Sequence, residues 1–439
     1  MTSPLPLPVA NRAEVLHHSI AAPQNGILYG SVSLLLFGPL AFGATTAGSL
    51  LLLQAGSALM FIAWVVRQAK PGVRQVWGNR LFWPMLAFAT LIAVQLVSGR
   101  TASKEQTLSA AMLFATYGLL CFLLVQSLQH TRQLEMIARM VSVYGAAVAL
   151  FALLQDVSSK GSLYWLWAQH SGGWIYGSYT NHNHYAGLME MLTPVPLVIA
   201  LSPRTSRQTR WLTGIAASIM ATSLLLSGSR GGMVAFAFEM MLLCVLLRHK
   251  LNARRIGVIV ASLCLVLALP LWLGSPQLTD RLSSVPGGAS AGLSGGTRLS
   301  IARDTLRLFV QRPVLGWGLG SFSVVYPQFR SFYSALSVDR AHNDYAQLLA
   351  ETGIAGFAIM IWFLLTVLRG AMGKLKHDRL GTNGLTGMSV LLGICGILVH
   401  SLVDFNLEIP ANAAIFYALC TTAAMERRFG WRHHIHLRG

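Results

Sequence analysis

The chain reads as an all-α polytopic membrane protein: about twelve transmembrane helices and one long loop outside the membrane that carries short helices of its own. Three observations predict this class. First, 54% of the 439 residues are hydrophobic and only 11% are charged, against roughly 25% charged in an average soluble domain; mean hydropathy is +0.55. Second, apolar stretches close to the roughly 20 residues that cross a bilayer recur along the chain. Third, the basic residues cluster in the short connections between those stretches.

Taken in order, the apolar stretches fall at about 27–43, 46–66, 81–98, 107–127, 136–155, 182–201, 211–227, 232–248, 256–273, 345–368, 385–404 and 411–425. Three regions follow: 1–273 with nine helices and short loops, 274–344 as the long loop, and 345–439 with three helices and a basic tail. The first pair of helices is joined only by the short FGATTAG connection. Residues 1–26 hold prolines, Glu14 and two histidines, and lack the compact apolar core and cleavage site of a signal peptide. No internal repeat is evident.

Orientation follows from basic residues in short loops. Arg67, Lys70, Arg74 and Arg80 mark one connection. Arg132 marks the next on that side, then Arg204, Arg207 and Arg210, then Arg248, Lys250, Arg254 and Arg255, then Arg369, Lys374, Lys376 and Arg379. Together with Arg12 and the tail residues Arg427, Arg428, Arg432 and Arg438, they assign that side, and both termini, to the cytoplasm. The opposite short loops hold only Arg100, Lys104, Lys160 and Arg230. A formal charge of +18 points first to nucleic acid, but a chain made of apolar helices excludes a soluble nucleic-acid binder. Cys121, Cys244, Cys264, Cys395 and Cys420 all lie inside apolar stretches without metal-site spacing, as small core residues do.

The long loop faces outward and breaks the charge bias. Residues 274–297 are rich in Gly and Ser and read as flexible. Residues 298–311 read as an amphipathic helix capped by Thr297 and followed by Pro313, with Leu299, Leu306, Phe309 and Val310 packed inward and Arg303 and Arg307 on one face. From 297 to 353 the chain holds Arg298, Arg303, Arg307, Arg312, Arg330 and Arg340 and no lysine. A guanidinium is a planar fork of donors that matches phosphate oxygens and stays charged at any working pH. The interval ends on His342-Asn343-Asp344, and a histidine there can exchange a proton near neutral pH. This pattern implies a phosphorylated lipid gripped at a membrane surface. GWGLG (316–320) is turn-rich and lacks the spacing of a dinucleotide fingerprint.

Other polar clusters fall at outer helix ends: 177–187 (GSYTNHNHYAG), 227–232 (SGSRGG), 341–345 (AHNDY) and 400–410 (HSLVDFNLEIP). Under this topology they converge at one depth. In SGSRGG, glycines let an anionic group approach unpaired helix-terminal N–H groups beside Arg230; an arginine snorkelling to the interface is the alternative. His182 and His184 are two apart, so they point to different sides, and no further ligand accompanies them at metal spacing. No Asp-x-Asp clamp is present. No metal and no cofactor are expected. His400 and Asp404 share a helical face and can pair. Glu190 and Glu239 fall near mid-helix, where ionisable groups usually face the bundle interior.

Several of these residues carry a family resemblance. They are Ser229-Arg230-Gly231; Arg298 heading a helix before Pro313 with Gly316 and Gly318; and His342-Asn343 running through Glu351 and Gly353 into a helix. With the Asn181/Asn183 and Asp404-Phe405…Pro410 segments they resemble the O-antigen ligase and polymerase superfamily over roughly 175–412. The resemblance implies a bacterial inner-membrane glycosyltransferase with a periplasmic active site. The implied donor is a glycan on undecaprenyl pyrophosphate. For a ligase the implied acceptor is a sugar hydroxyl of lipid A–core oligosaccharide. Arg230, Arg298 and His342 map onto residues implied to be catalytic. Arg303, Arg307, Arg340, Asn181, Asn183, His184, Asn343 and Asp404 are candidates for substrate binding. A polymerase or a protein O-glycosylating enzyme shares these features. A transporter of the carrier lipid would show inverted repeats and interrupted helices, which the sequence lacks.

Overall fold

The computed structural model describes residues 9–70, 76–159, 161–168, 174–248, 295–333, 337–377 and 381–425. The expected helix at 256–273, the Gly/Ser-rich stretch 274–294, the basic tail from Arg427 onward and the loop residues Arg74, Lys160, Lys250, Arg254, Arg255 and Arg379 lie outside them.

The described chain is helical apart from a two-residue antiparallel hairpin, Ser162–Leu163 with Trp167–Ala168. The helices are α1 (Val9–Leu40), α2 (Ala47–Gln68), α3 (Phe82–Val97), α4 (Lys104–Ser127), α5 (Thr131–Ser158), α6 (His182–Leu192), α7 (Pro194–Leu201), α8 (Arg207–Leu226), α9 (Arg230–Leu247), α10 (Gly295–Gln311), α11 (Phe322–Val325), α12 (Asp344–His377), α13 (Thr382–His400) and α14 (Pro410–Ala424). They occupy eleven of the twelve expected stretches. Eight spans are long and apolar enough to cross a membrane; Asn25–Leu40 and Phe82–Val97 are apolar but shorter, as is the 15-residue α14. This is a membrane protein by length and composition, and the count of twelve is not reached among the described residues.

Helix starts follow local chemistry. Thr46, Ser103, Asn181, Ser206 and Ser229 each place a side-chain oxygen where it accepts a backbone N–H of the first turn. The stretch expected as one helix at 182–201 is two, because Pro194 and Pro196 follow directly on α6 and proline cannot donate to the preceding turn. In the other direction, α12 runs nine residues past its expected end. Lys374, expected in a loop, sits on that extension and donates to the Met425 carbonyl.

The bundle is organised around α6. Every residue from Asn183 to Leu192 is buried, as expected for a helix apolar on all sides with neighbours all round. It packs against α8, α9, α13 and α14, and its Tyr185, Leu188, Met189 and Met191 join the largest core cluster.

A smaller core lies beside the bundle, where Ile301 and Leu308 of α10 meet Phe322, Tyr326, Val338, Ala341 and Ala350. The expected inward face of α10 is wrong. Leu299, Leu306 and Val310 are 55%, 49% and 70% exposed, while Ile301, Asp304, Thr305 and Leu308 are buried. The face that turns inward is the one whose polar groups find partners. Asp304 accepts from the Ser331 backbone N–H (2.9 Å) and hydroxyl (3.0 Å), which removes the penalty of burying a carboxylate. Thr297 falls inside the helix rather than capping it, since α10 begins at Gly295.

The 312–320 turn clips α10 to α12. Trp317 and Gly318 donate to the carbonyls of Ala350 and Glu351, and Ile354 and Ala355 donate to those of Pro313 and Val314. The exchange needs a break in α12 at Gly353, with φ 64° and ψ −166°, a conformation essentially restricted to glycine. A Cβ there would lie 2.3 Å from the Val314 oxygen. Glu351 accepts from Gly320 (2.7 Å) and Phe322 (3.1 Å). The Pro-x-x-Gly-x-Gly and Glu-x-Gly elements are thus two halves of one joint. That joint fixes where α10, and with it Arg298, stands relative to His342 at the head of α12.

Candidate functional site

Four segments distant in sequence meet at one end of the bundle: the starts of α6, α9 and α12 and the turn after α13. Their contacts are direct. Asp344 donates its N–H to the Ser401 carbonyl (3.0 Å), and Asn343 Nδ2 donates to the Leu402 carbonyl (2.8 Å). Tyr179 donates to Asn412 (2.7 Å). The convergence expected from the sequence is present.

The centre of this cluster is Asp404, 1% exposed. Asn183 Nδ2 donates to Asp404 Oδ2 at 2.6 Å, and the Phe405 N–H donates to Oδ1 at 2.8 Å. Arg298 Nη2 lies 3.7 Å from Oδ2. His184 Nε2 and His342 Nδ1 each lie 3.9 Å from Oδ1. The two imidazoles pack edge-on against the Phe405 ring, with centroids 4.7 and 4.8 Å away. Burial alone would push the Asp404 carboxyl up. Its neighbours His184, Arg298, His400 and His342 outweigh that and hold it below the usual carboxylate range, so it is ionised at neutral pH.

His342 sits at φ +50°, a left-handed conformation uncommon outside glycine and often found at functional sites. Its side chain is 16% exposed. Its Nδ1 is buried without a hydrogen bond among the described residues. Burial, with the Arg298 charge acting the same way and Asp404 opposing, pushes the imidazole down to about 4. The ring is therefore neutral at pH 7 and able to accept a proton. With Nδ1 towards Asp404, Nε2 is the nitrogen left to do so.

Arg298 reaches the cluster from the first turn of α10, and its Nη1 donates to the Val403 carbonyl at 2.7 Å. Arg230 is exposed and opens α9 behind the Ser229 cap. The next residue, Gly231, is so close to Val403 that a Cβ on it would lie 2.9 Å from Val403 Cγ2. The 400–404 turn therefore touches both the start of α9 and the guanidinium of Arg298. Arg340 pairs with Glu408 (3.5 Å) on the same side. Asn343 accepts from the Ala346 N–H (2.9 Å) and so caps α12. Asn181 caps α6.

Two candidate arginines do not join this cluster. At about 100° per residue, Arg303 and Arg307 point roughly 140° and 180° away from Arg298 around α10. Both are exposed, and Arg307 pairs with Asp304 (3.3 Å). The expected His400–Asp404 pair is also corrected. α13 ends at His400, Asp404 follows a turn, and the His400 ring instead meets Glu190 on α6 at 2.8 Å. The sequence offered both residues but not their pairing, which spans 210 positions. Phe405, the wedge between the two imidazoles, showed in the sequence only as part of the Asp404-Phe405…Pro410 segment. Among the described residues no group of three or more His, Cys, Asp or Glu is placed to hold a metal ion.

A helical bundle with arginines, a neutral imidazole and an ionised carboxylate gathered at one end is a membrane protein equipped to hold an anion beside a proton acceptor. Residues 215–361, about a third of the chain, match the family model described as O-antigen ligase (Wzy_C). The matched stretch is similar to that family and supports an activity of O-antigen ligase or polymerase type in general. The matched range contains Arg230, Arg298 and His342; Asn183, His184 and Asp404 lie outside it. No curated protein matches the chain.

Proposed function

We propose that this protein is an O-antigen ligase: a metal-independent, inverting glycosyltransferase that moves a glycan from undecaprenyl pyrophosphate to a sugar hydroxyl of lipid A–core oligosaccharide. The observation that carries the reading is the meeting of Arg298, His342 and Asp404, with Arg230 opening the helix that rests on the same 400–404 turn. In the proposed reaction the acceptor oxygen attacks the anomeric carbon from the face opposite the diphosphate. The carbon–oxygen bond to the diphosphate breaks, and both its electrons leave with that oxygen. The acceptor proton passes to His342 Nε2. Asp404, 3.9 Å from Nδ1, offsets the charge the ring gains. Arg230 and Arg298 neutralise the leaving diphosphate. Diphosphate is a good leaving group, so no general acid is invoked.

In this reading the clustered end of the bundle is periplasmic in the bacterial inner membrane, 274–344 is a periplasmic loop, and the termini are cytoplasmic. Asn181, Asn183, His184, Asn343 and Arg340 serve substrate binding around the Asp404 cluster. Arg303 and Arg307, on the outer face of α10, serve the incoming anionic lipid rather than the reacting centre. The test is reconstitution of purified protein with lipid-linked glycan, with and without lipid A–core. Transfer that requires lipid A–core supports the ligase. Chain growth from lipid-linked glycan alone makes the protein a polymerase, and activity undiminished by Arg298→Ala or His342→Ala refutes the site.

A further inference from the structure

Beneath the Ser229–Gly232 turn lies a buried acid–imidazole pair that the proposed reaction leaves idle. Glu190 and His400 are 0% and 1% exposed, and His400 Nδ1 lies 2.8 Å from Glu190 Oε1. We propose that these two are positioning residues: together they form the platform that sets the start of α9, and hence Arg230, against the turn that carries Asp404. The inference rests on the role given to Arg230.

The pair touches both sides of the site. His400 is the last residue of α13, and its carbonyl accepts the N–H groups of Val403 (3.0 Å) and Asp404 (3.1 Å). Its backbone therefore fixes the turn that presents Asp404. Its ring faces the other way. Nε2 lies 3.5 Å from Ser229 Oγ, and that oxygen accepts the Gly232 N–H at 3.1 Å, capping the helix that Arg230 begins.

The glycines after Arg230 bear on the same platform. A Cβ on Gly231 would lie 2.7 Å from His400 Cδ2, and one on Gly232 would lie 2.8 Å from Ala186 Cβ and 3.0 Å from Glu190 Oε1. The start of α9 thus rests on the pair with no room for a side chain between. A buried hydrogen-bonded acid–imidazole contact fixes distance and ring plane at once, whereas an apolar pair of equal volume could slide. That is the conformational specificity a charge-bearing site requires and for which buried polar pairs are sometimes retained.

The experiment is a double-mutant cycle on full-length protein in nanodiscs, read as single-turnover transfer of the lipid-linked glycan, with thermal melts as the folding check. His400→Phe keeps ring volume and removes both nitrogens. It should slow transfer about tenfold to a hundredfold, the penalty of roughly an ångström's misplacement at a reacting centre. In an Arg230→Ala background the same change should cost less than about threefold, because the group it positions is gone. Glu190→Gln keeps an acceptor oxygen towards His400 and should stay within about threefold of the parent, while Glu190→Leu should match His400→Phe. If His400→Phe does not fold, His400→Gln, with amide groups near both ring nitrogens, takes its place in the cycle, and a loss that vanishes without Arg230 is again the supporting result. A folded His400 variant with full activity, or a loss that multiplies undiminished with Arg230→Ala, overturns the proposal. Full activity of Arg230→Ala itself would instead strike the role of Arg230 and leave the platform a fold element only.

Discussion

Replacing Asp404 by Asn probes the proposed chemistry directly: it removes the carboxylate charge and keeps one of the two oxygens that accept from Asn183 Nδ2 and the Phe405 N–H. The side chain keeps its volume, and its oxygen can still accept from Asn183 Nδ2, which donates to it at 2.6 Å in the parent. What disappears is a negative charge 3.9 Å from His342 Nδ1. When His342 takes the acceptor proton, an imidazolium forms there. At an effective dielectric of about 20, attraction across that distance is worth about 4 kcal/mol, or roughly a thousandfold in rate. Arg298, 3.7 Å from the same carboxylate, already draws on its field, so the expected loss is about 10²–10³ in turnover. Substrate affinity should change less.

The pH profile separates this cause from a protonation artefact. His342 acts as a base only while neutral, and it is held down at about 4. Activity should therefore persist well below pH 6.5 and fall as pH drops through the 4–5 region. Asp404 is the partner that raises the imidazole and Arg298 one that lowers it. Asp404→Asn should therefore move the acid limb of kcat/KM further down, and Arg298→Ala should move it up. At pH 7 His342 is neutral in both variants, so a loss there reflects missing stabilisation of the imidazolium. Transfer of a labelled lipid-linked glycan, followed by gel shift across pH 4–8, gives both readouts. Full turnover of Asp404→Asn at pH 7, or an acid limb that moves up, would refute the reasoning.

Arg298→Ala and Arg230→Ala should each lower turnover about 10²–10³-fold, the scale of losing one preorganised partner for developing charge. Arg303→Ala and Arg307→Ala should cost less than either, since both point away from the cluster; the same transfer assay decides. Turnover should be unchanged in excess chelator, with arginines taking the part a cation plays elsewhere; a chelator-sensitive enzyme would require a different scheme. Gly353→Ala should destabilise the fold by at least about 2 kcal/mol, because a Cβ would meet the Val314 carbonyl at 2.3 Å, and a thermal melt of the purified protein measures it. Glu351→Ala strands the N–H groups of Gly320 and Phe322 in the interior and should cost about 2–4 kcal/mol by the same melt.

The apolar stretches could be read directly because crossing a bilayer needs a fixed length of apolar helix, and length and hydropathy are properties of sequence. The start expected for the sixth stretch, at 182, is where α6 begins behind the Asn181 cap, whereas the one cap read from the sequence, Thr297, falls inside α10. The two faces of α10 could be drawn as stripes, but not which stripe would turn inward. That choice was made by partners for Asp304 near Ser331, supplied by a loop 27 residues on. His400 was close enough to Asp404 in sequence to look like its mate, yet a turn intervenes and Glu190 lies nearer in space.

The sequence alone therefore determined the class of molecule and the kinds of chemical group it could bring to bear: arginine forks, an imidazole at a helix mouth, and a carboxylate beyond another. Only the tertiary structure decided which of them share a site. Local periodicity reports which neighbours lie on one face of one helix, whereas the distance from Arg298 to Asp404, or from His400 to Glu190, is set by how separate helices pack and by a joint at Gly353 that no local pattern encodes.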